Sequence, residues 1–231
     1  FDRYSPYQAE RLRMVSPCLG ESILEYGASA GQFLLQVDAK YKYAIEPDSA
    51  CMSRLIHQGV RVPSTDDRFD TVCAFQVMEH MVDPVAFLRD ALGRLKPGCT
   101  AFIEVPNLYD PLRSVWKVPA YEKFYFHEDH LFYFSQAALR KVAEMAGAEK
   151  YEILPMQDYN LVNHLQWVLT GTPQQDCRGL GHVSLSIGNG TLMSKWLIER
   201  LQELDGSYKH MLELDGLTSN LMLMVTKRNT A

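Results

Sequence analysis

No Cys-x-x-Cys pair occurs in the 231 residues, and the five cysteines, Cys18, Cys51, Cys73, Cys99 and Cys177, are odd in number and scattered. That argues against a structural zinc site or a disulfide framework and for reduced thiols in a cytoplasmic protein, with no metal expected. No apolar run approaches the roughly 20 residues that a membrane-spanning helix needs, so no membrane partner is expected. A basic tail or Lys/Arg cluster is also missing, and 23 basic against 28 acidic residues leave a net charge of −5. A nucleic-acid partner held by phosphate neutralisation is therefore not expected. What remains is a small-molecule partner, with a second copy of the chain as a further candidate.

A chain of this length buries one good core and lies near the size at which chains divide, so a single domain over 1–231 with an elaboration is expected. The hydrophobic pattern supports a strand at Ile23 to Tyr26, a small-residue turn at Gly27 to Gly31 and a helix at Gln32 to Val37. Strands follow at Tyr41 to Glu46, Gly59 to Val62, Asp70 to Phe75 and Thr100 to Val105, with helices at Ser49 to Gln58 and Pro84 to Leu95 between them. Alternation of this kind signals a mostly parallel α/β sheet, doubly wound with helices on both faces. A helix over Arg3 to Val15, one at Ser135 to Ala146, another at Thr191 to Leu204, and strands at Tyr151 to Leu154 and Asn220 to Thr226 complete the pattern. The reading is a seven-stranded sheet, a core of about 20–155 and 218–228, and a substrate-cap insertion at about 156–215.

The turn Glu25-Tyr26-Gly27-Ala28-Ser29-Ala30-Gly31 has small residues where a ligand would approach the backbone at the open end of a strand. Its glycine spacing lacks the G-x-G-x-x-G pattern used against a pyrophosphate, which points to a cofactor without phosphates. Nineteen residues past Gly27, Glu46 ends the second strand, where a carboxylate can accept hydrogen bonds from both hydroxyls of a ribose.

These residues resemble the class I S-adenosylmethionine (SAM)-dependent methyltransferases over roughly Ser22 to Leu154 and the last strand, a resemblance that implies their Rossmann-like fold with the last strand antiparallel. Glu25-x-Gly27-x-Ser29-x-Gly31 looks like their glycine-rich first motif, and Ile45-Glu46-Pro47-Asp48 like the ribose-binding second. Phe69-Asp70-x-Val72 through Gln76-Val77-Met78-Glu79-His80 resembles the fourth-strand motif. The resemblance implies SAM as cofactor, held by Glu25, Gly27, Ala28, Ser29, Gly31, Glu46, Pro47, Gln76 and Val77. Thr65 or Asp66 in the short segment before Phe69 would supply the adenine contact. Ser29 stands where the family usually has glycine, which is tolerable if its backbone angles are ordinary.

Methyl transfer from a sulfonium needs alignment above all, and a base only when the acceptor loses a proton. Histidine suits that role near neutral pH, and His80, His127 and His130 fall in stretches expected at the sheet's carboxyl edge. Pro106-Asn107 followed by His130-Leu131-Phe132-Tyr133-Phe134-Ser135 resembles a subgroup containing sugar C-methyltransferases and ubiquinone-type O-methyltransferases. That resemblance implies His130 as base, Asp129 or Glu128 as its neighbour, and Tyr125 or His127 as substrate contacts. Asn107, Asn163, His164 and Trp167 are further candidates for binding the acceptor, a sugar, sugar nucleotide or other biosynthetic intermediate. The alternative is a SAM-binding partner or regulatory module without activity. A nicotinamide-dependent oxidoreductase is disfavoured by the glycine spacing and by the lack of a Tyr-x-x-x-Lys pair.

Overall fold

The computed structural model of the chain describes residues 8–174 and 191–229. In chain order come α1 (Gln8–Val15), β1 (Ser22–Tyr26), β2 (Tyr41–Ile45), α2 (Ser49–His57), β3 (Phe69–Phe75), α3 (Pro84–Gly93) and β4 (Leu95–Pro106). These are followed by α4 (Pro111–Ser114), α5 (Pro119–Tyr125), α6 (Gln136–Met145), β5 (Tyr151–Met156), α7 (Leu161–Thr170), α8 (Leu192–Asp215) and β6 (Asn220–Thr226). Arg3, Tyr4 and Tyr7 of the expected first helix lie outside the described residues, as do Cys177 and residues 175–190 of the expected cap insertion.

The described strands form a six-stranded sheet in the order β2-β1-β3-β4-β6-β5. β1 pairs in parallel with β2 and β3, and β3 with β4. β6 runs antiparallel to β4, since Lys227 at its end exchanges backbone bonds with Gly98 and Cys99 near the start of β4. The seventh strand expected at Gly59 to Val62 shrinks to one parallel bridge between Arg61 and Tyr43. The reason is local. Val60 gives its N–H to the Leu55 carbonyl at the end of α2, and Pro63 has no N–H to give.

Side-chain alternation along the strands builds two faces. On one, Leu24, Tyr26, Val72, Ala74, Ala101, Ile103, Leu221 and Leu223 pack with Leu88 and Ala91 of α3 and with Leu139 and Ala143 of α6. Each leucine or isoleucine fully buried there contributes roughly 1.5–3 kcal/mol relative to leaving it in water. The intervening residues turn to the other face, where the Phe33 and Phe75 rings meet edge to face at 4.8 Å and Thr71 Oγ1 donates to the Cys18 carbonyl.

Caps define the helices. Asp48 accepts from the Ala50 and Cys51 amides at the start of α2, and Asp83 from Ala86 ahead of Pro84 at the start of α3. α8 ends at Gly216 in the left-handed conformation, well past the Leu204 end expected from the apolar pattern. The helix expected at Gln32 to Val37 is instead a succession of turns. Gly31, at φ +81°, is not helical, and only one helical bond forms, from the Leu35 N–H to the Gly31 carbonyl, before a tighter turn from Gln36 to Phe33. One such bond is too few to sustain a helix.

The chain divides into two compact units. The first comprises Phe1–Pro106, Leu131–Leu154 and Leu221–Ala231; the second comprises Asn107–His130 and Pro155–Asn220. The second unit thus groups the aromatic-rich stretch after β4 with the segment read as a cap. Among the described residues no helix is long and apolar enough to cross a membrane.

Candidate functional site

The turn after β1 in the first unit has little room for side chains. A Cβ on Gly27, at φ +67°, would lie 2.6 Å from Val77 Cγ2, and one on Gly31 would lie 2.7 Å from side-chain carbons of Leu35 and Leu55. Glycine is required at both by conformation and by space. Gly27 N–H donates to the Ile45 carbonyl at 2.9 Å, tying the turn to the end of β2. Glu46, the next residue, accepts from the Ser29 N–H through Oε2 at 2.7 Å and from the Asp48 N–H through Oε1 at 2.8 Å. The acid read as a ribose contact therefore also holds the glycine turn, and its two oxygens keep further acceptor capacity. Pro47 beside it is exposed, and Ala28 is buried.

Ser29 departs from the ordinary backbone angles assumed for it. Its φ is +49°, in the left-handed region where a side chain costs roughly 1–2 kcal/mol. Gln76, at φ +58°, is strained in the same sense.

Glu25 is buried on β1, and burial pushes its carboxyl up to about 8, against the opposing pull of the Arg11 charge and the Leu34 backbone amide. Its Oε2 has no hydrogen-bond partner among the described residues. Across the sheet, Glu104 of β4 is 1% exposed. Arg11 of α1 grips it with both nitrogens at 2.8 and 2.5 Å, while Gln76 Nε2 donates to its Oε1 at 2.9 Å. Burial pushes Glu104 upward, but the Arg11 charge and these donors outweigh it and hold the carboxyl below its usual range. Arg11 also lies over the Phe75 ring at 4.6 Å. The sequence reading missed Arg11 and Glu104. The available signal was a lone acid within the apolar run Ala101-Phe102-Ile103-Glu104-Val105.

Glu79 and His80 occupy a short turn, Met78–His80, after β3. Glu79 is fully buried, its carboxylate 3.9 Å from His80 Nε2, and its carbonyl accepts from the Leu131 and Phe132 amides. Thr65 is placed with other residues: its carbonyl accepts from Arg68, and it lines a cleft along α3.

The remaining candidates belong to the second unit. The His127 and His130 rings meet at 5.1 Å and 70°. The Tyr125 hydroxyl, buried, donates to the Asn107 carbonyl at 2.5 Å, so its proton is already placed. Asn107 is 0% exposed, its amide donating to the Gly216 carbonyl and accepting from the Tyr109 N–H. Its side chain thus ties two backbone segments inside the unit. Asn163, His164 and Trp167 share the buried side of α7. Trp167 packs against Tyr121 and Phe124 at 5.0 and 5.2 Å, and Asn163 Oδ1 accepts from the Gln174 N–H.

His164 differs from these core residues. Trp116 Nε1 donates to the Tyr208 hydroxyl oxygen at 2.7 Å, and that oxygen lies 2.6 Å from His164 Nδ1. In the arrangement that pairs the tyrosine proton, Nδ1 accepts it and the neutral imidazole carries its hydrogen on Nε2. Burial, helped by the Lys209 charge, pushes the imidazole down to about 3, which keeps it neutral. Nε2 is buried with no hydrogen-bond partner among the described residues.

Comparison with known proteins agrees with this geometry. The family model described as a methyltransferase domain matches residues 2–153. A probable S-adenosylmethionine-dependent methyltransferase of Mycolicibacterium smegmatis is 27% identical over 156 residues, 62% of this chain and 57% of that protein. The chain thus spans little more than half the length of that curated relative. Among solved structures, a SAM-dependent methyltransferase of Thermotoga maritima, described as a possible histamine N-methyltransferase, superposes with a TM-score of 0.59 at 17% identity, covering 98% of this chain and 94% of that one. Phosphoethanolamine N-methyltransferase 2 of Haemonchus contortus, in complex with S-adenosyl-L-methionine, gives 0.55 at 13% identity over 95% and 52% of the two chains. The glycine turn locked against Val77, the acid ending β2 and the family match over residues 2–153 have one common explanation: this chain belongs to the methyltransferase-domain family.

Proposed function

We propose that this domain methylates a small polar acceptor, such as a sugar, a sugar nucleotide or another biosynthetic intermediate, with His130 as general base. Support for the cofactor in the first unit comes from the tight glycine turn, where Gly27 packs against Val77 and Gly31 against Leu35 and Leu55, and from Glu25, whose buried Oε2 has no hydrogen-bond partner among the described residues. Glu46, Gln76 and Val77 would hold the cofactor from the strand ends beside that turn. SAM supplies a methyl group already activated on a sulfonium, so the chain's work is alignment and, for a protic acceptor, proton removal.

The observation carrying the base assignment is the His127 and His130 ring pair at 5.1 Å, in the stretch that sequence reading marked for substrate. Imidazole takes up a proton near neutral pH, and His130 would accept the one the acceptor loses. Support for a polar acceptor comes from His164, whose buried Nε2–H suits an oxygen of a hydroxylated molecule. A buried donor without an acceptor costs about 1–3 kcal/mol, so such an oxygen would be selected over an apolar group.

The test is His130→Ala. Turnover should fall about 100-fold or more while SAM binding by calorimetry stays unchanged. Unchanged turnover would remove His130 as base. Tight SAM binding by the parent chain with no transfer to sugar, quinone or polyketide-type acceptors would favour the non-catalytic module instead.

A further inference from the structure

A parallel crossover ordinarily takes a dozen or more residues, usually a helix. Here residues 62–68 alone connect Arg61, bridged to Tyr43, with Phe69 at the start of β3. Along the flank of α3 beside this short connection lies a cleft of about 390 Å³, with Thr65 and Arg68 on one wall and Ala86, Arg89, Asp90 and Arg94 on the other. Its volume is that of a small-ligand site.

Three guanidiniums meet one carboxylate there, on a chain whose net charge is −5. Asp90 is already engaged, its Oδ2 accepting from the Tyr26 hydroxyl at 2.6 Å and from Arg94 Nε at 3.4 Å. Arg68 donates to the Thr65 and Asp67 carbonyls at 3.1 and 2.9 Å, and Arg89 to the Met145 carbonyl at 2.9 Å. Neither forms an ion pair among the described residues. Each guanidinium offers five N–H donors, so most of theirs point to no protein acceptor. Lys227 adds to the positive field. Burial first, then the charge of Arg68, holds its ammonium below the usual lysine range.

The cleft lies at the amino edge of the sheet. Phe69, which starts β3, donates its N–H to the Arg94 carbonyl, and Arg94 Nη1 reaches the Ser64 carbonyl at 3.0 Å. The glycine turn, by contrast, follows the carboxyl end of β1. We infer that the Arg68, Arg89 and Arg94 cleft binds a small phosphate-bearing ligand, at a site separate from the SAM turn. Guanidinium forks match phosphate oxygens in pairs, and with two arginines free of carboxylates the site favours a dianion over a neutral molecule.

The experiment is calorimetric titration of the full chain with inorganic phosphate and with glycerol phosphate, at an ionic strength held constant with chloride, with and without saturating SAM. Saturable one-site binding is expected that SAM leaves unchanged and that Arg68→Gln and Arg89→Gln each weaken tenfold or more. Both variants should bind SAM like the parent, which reports their folding, and Arg68 sits in an exposed connection where the change is well tolerated. Binding of the ester alone or of the free ion alone names the source within the inference. Equal binding by parent and variants, loss of phosphate binding when SAM is present, or no saturation at millimolar concentrations overturns it.

Discussion

The Ser29 N–H donates to Glu46 Oε2 at 2.7 Å, linking the glycine turn after β1 to the acid that ends β2. One side chain thereby ties the turn after β1 to the residues that follow β2. Glu46→Ala should weaken SAM binding tenfold or more, since a hydrogen bond to a charged group contributes about 1.5–3 kcal/mol. Calorimetry decides it, and unchanged affinity would take Glu46 out of the cofactor site.

Ser29 itself should respond in the opposite direction. Its left-handed backbone costs roughly 1–2 kcal/mol, which Ser29→Gly would relieve, less the roughly 0.5–1 kcal/mol of added freedom in the unfolded chain. The expected net gain is under about 1 kcal/mol, read as a thermal midpoint higher by no more than roughly 2–4 °C. A lower midpoint would mean that the serine side chain contributes more than its backbone strain costs.

Arg11→Ala would leave Glu104 charged, 1% exposed and held only by Gln76. Breaking one side of a buried pair costs about 3–5 kcal/mol, and the lower end applies because the Arg11 side chain is 17% exposed. Adding Glu104→Gln should recover much of that loss in urea denaturation. A mere few tenths of a kcal/mol for Arg11→Ala would show the pair to be unimportant.

Glu25 makes stability depend on pH. Its carboxyl titrates near 8 in the folded chain against 4.5 as the reference, so the native state holds the proton more tightly than the unfolded state. Its contribution is fully present below about pH 4.5 and is lost as the pH rises toward 8. Asp110, pushed up to about 7 mainly by burial, acts with the same sign between 3.8 and 7. Glu25→Gln should therefore flatten the decline and unfold at higher urea than the parent at pH 8, by at least about 1 kcal/mol. Parallel pH profiles for the two proteins would refute the buried protonated carboxyl.

Much of this was legible in the order of residues. Local chemistry identified Pro84 as a helix start, Gly27 and Gly31 as turn residues and Glu46 as a strand-ending acid. The helix expected after Gly31 did not form, because Gly31 is not helical and a single helical bond, from the Leu35 N–H to its carbonyl, gives way to a tighter turn. The third strand failed for a similar reason, with Val60 drawn back to α2 and Pro63 unable to donate. For Asn107, the polar type suggested substrate, but only the fold brings the Gly216 carbonyl to its amide.

By itself the sequence determined the layered α/β architecture and the tight glycine turn after β1, because strand alternation, glycine spacing and a terminal acid are properties of neighbouring residues. The tertiary structure alone decided that Arg11 meets Glu104, 93 positions away, and that Trp116 and Tyr208 orient His164. It also decided that three arginines gather beside α3. Such encounters depend on how the sheet orders its strands and on which buried charge or donor each leaves to be satisfied, and neither is written in any short stretch of the chain.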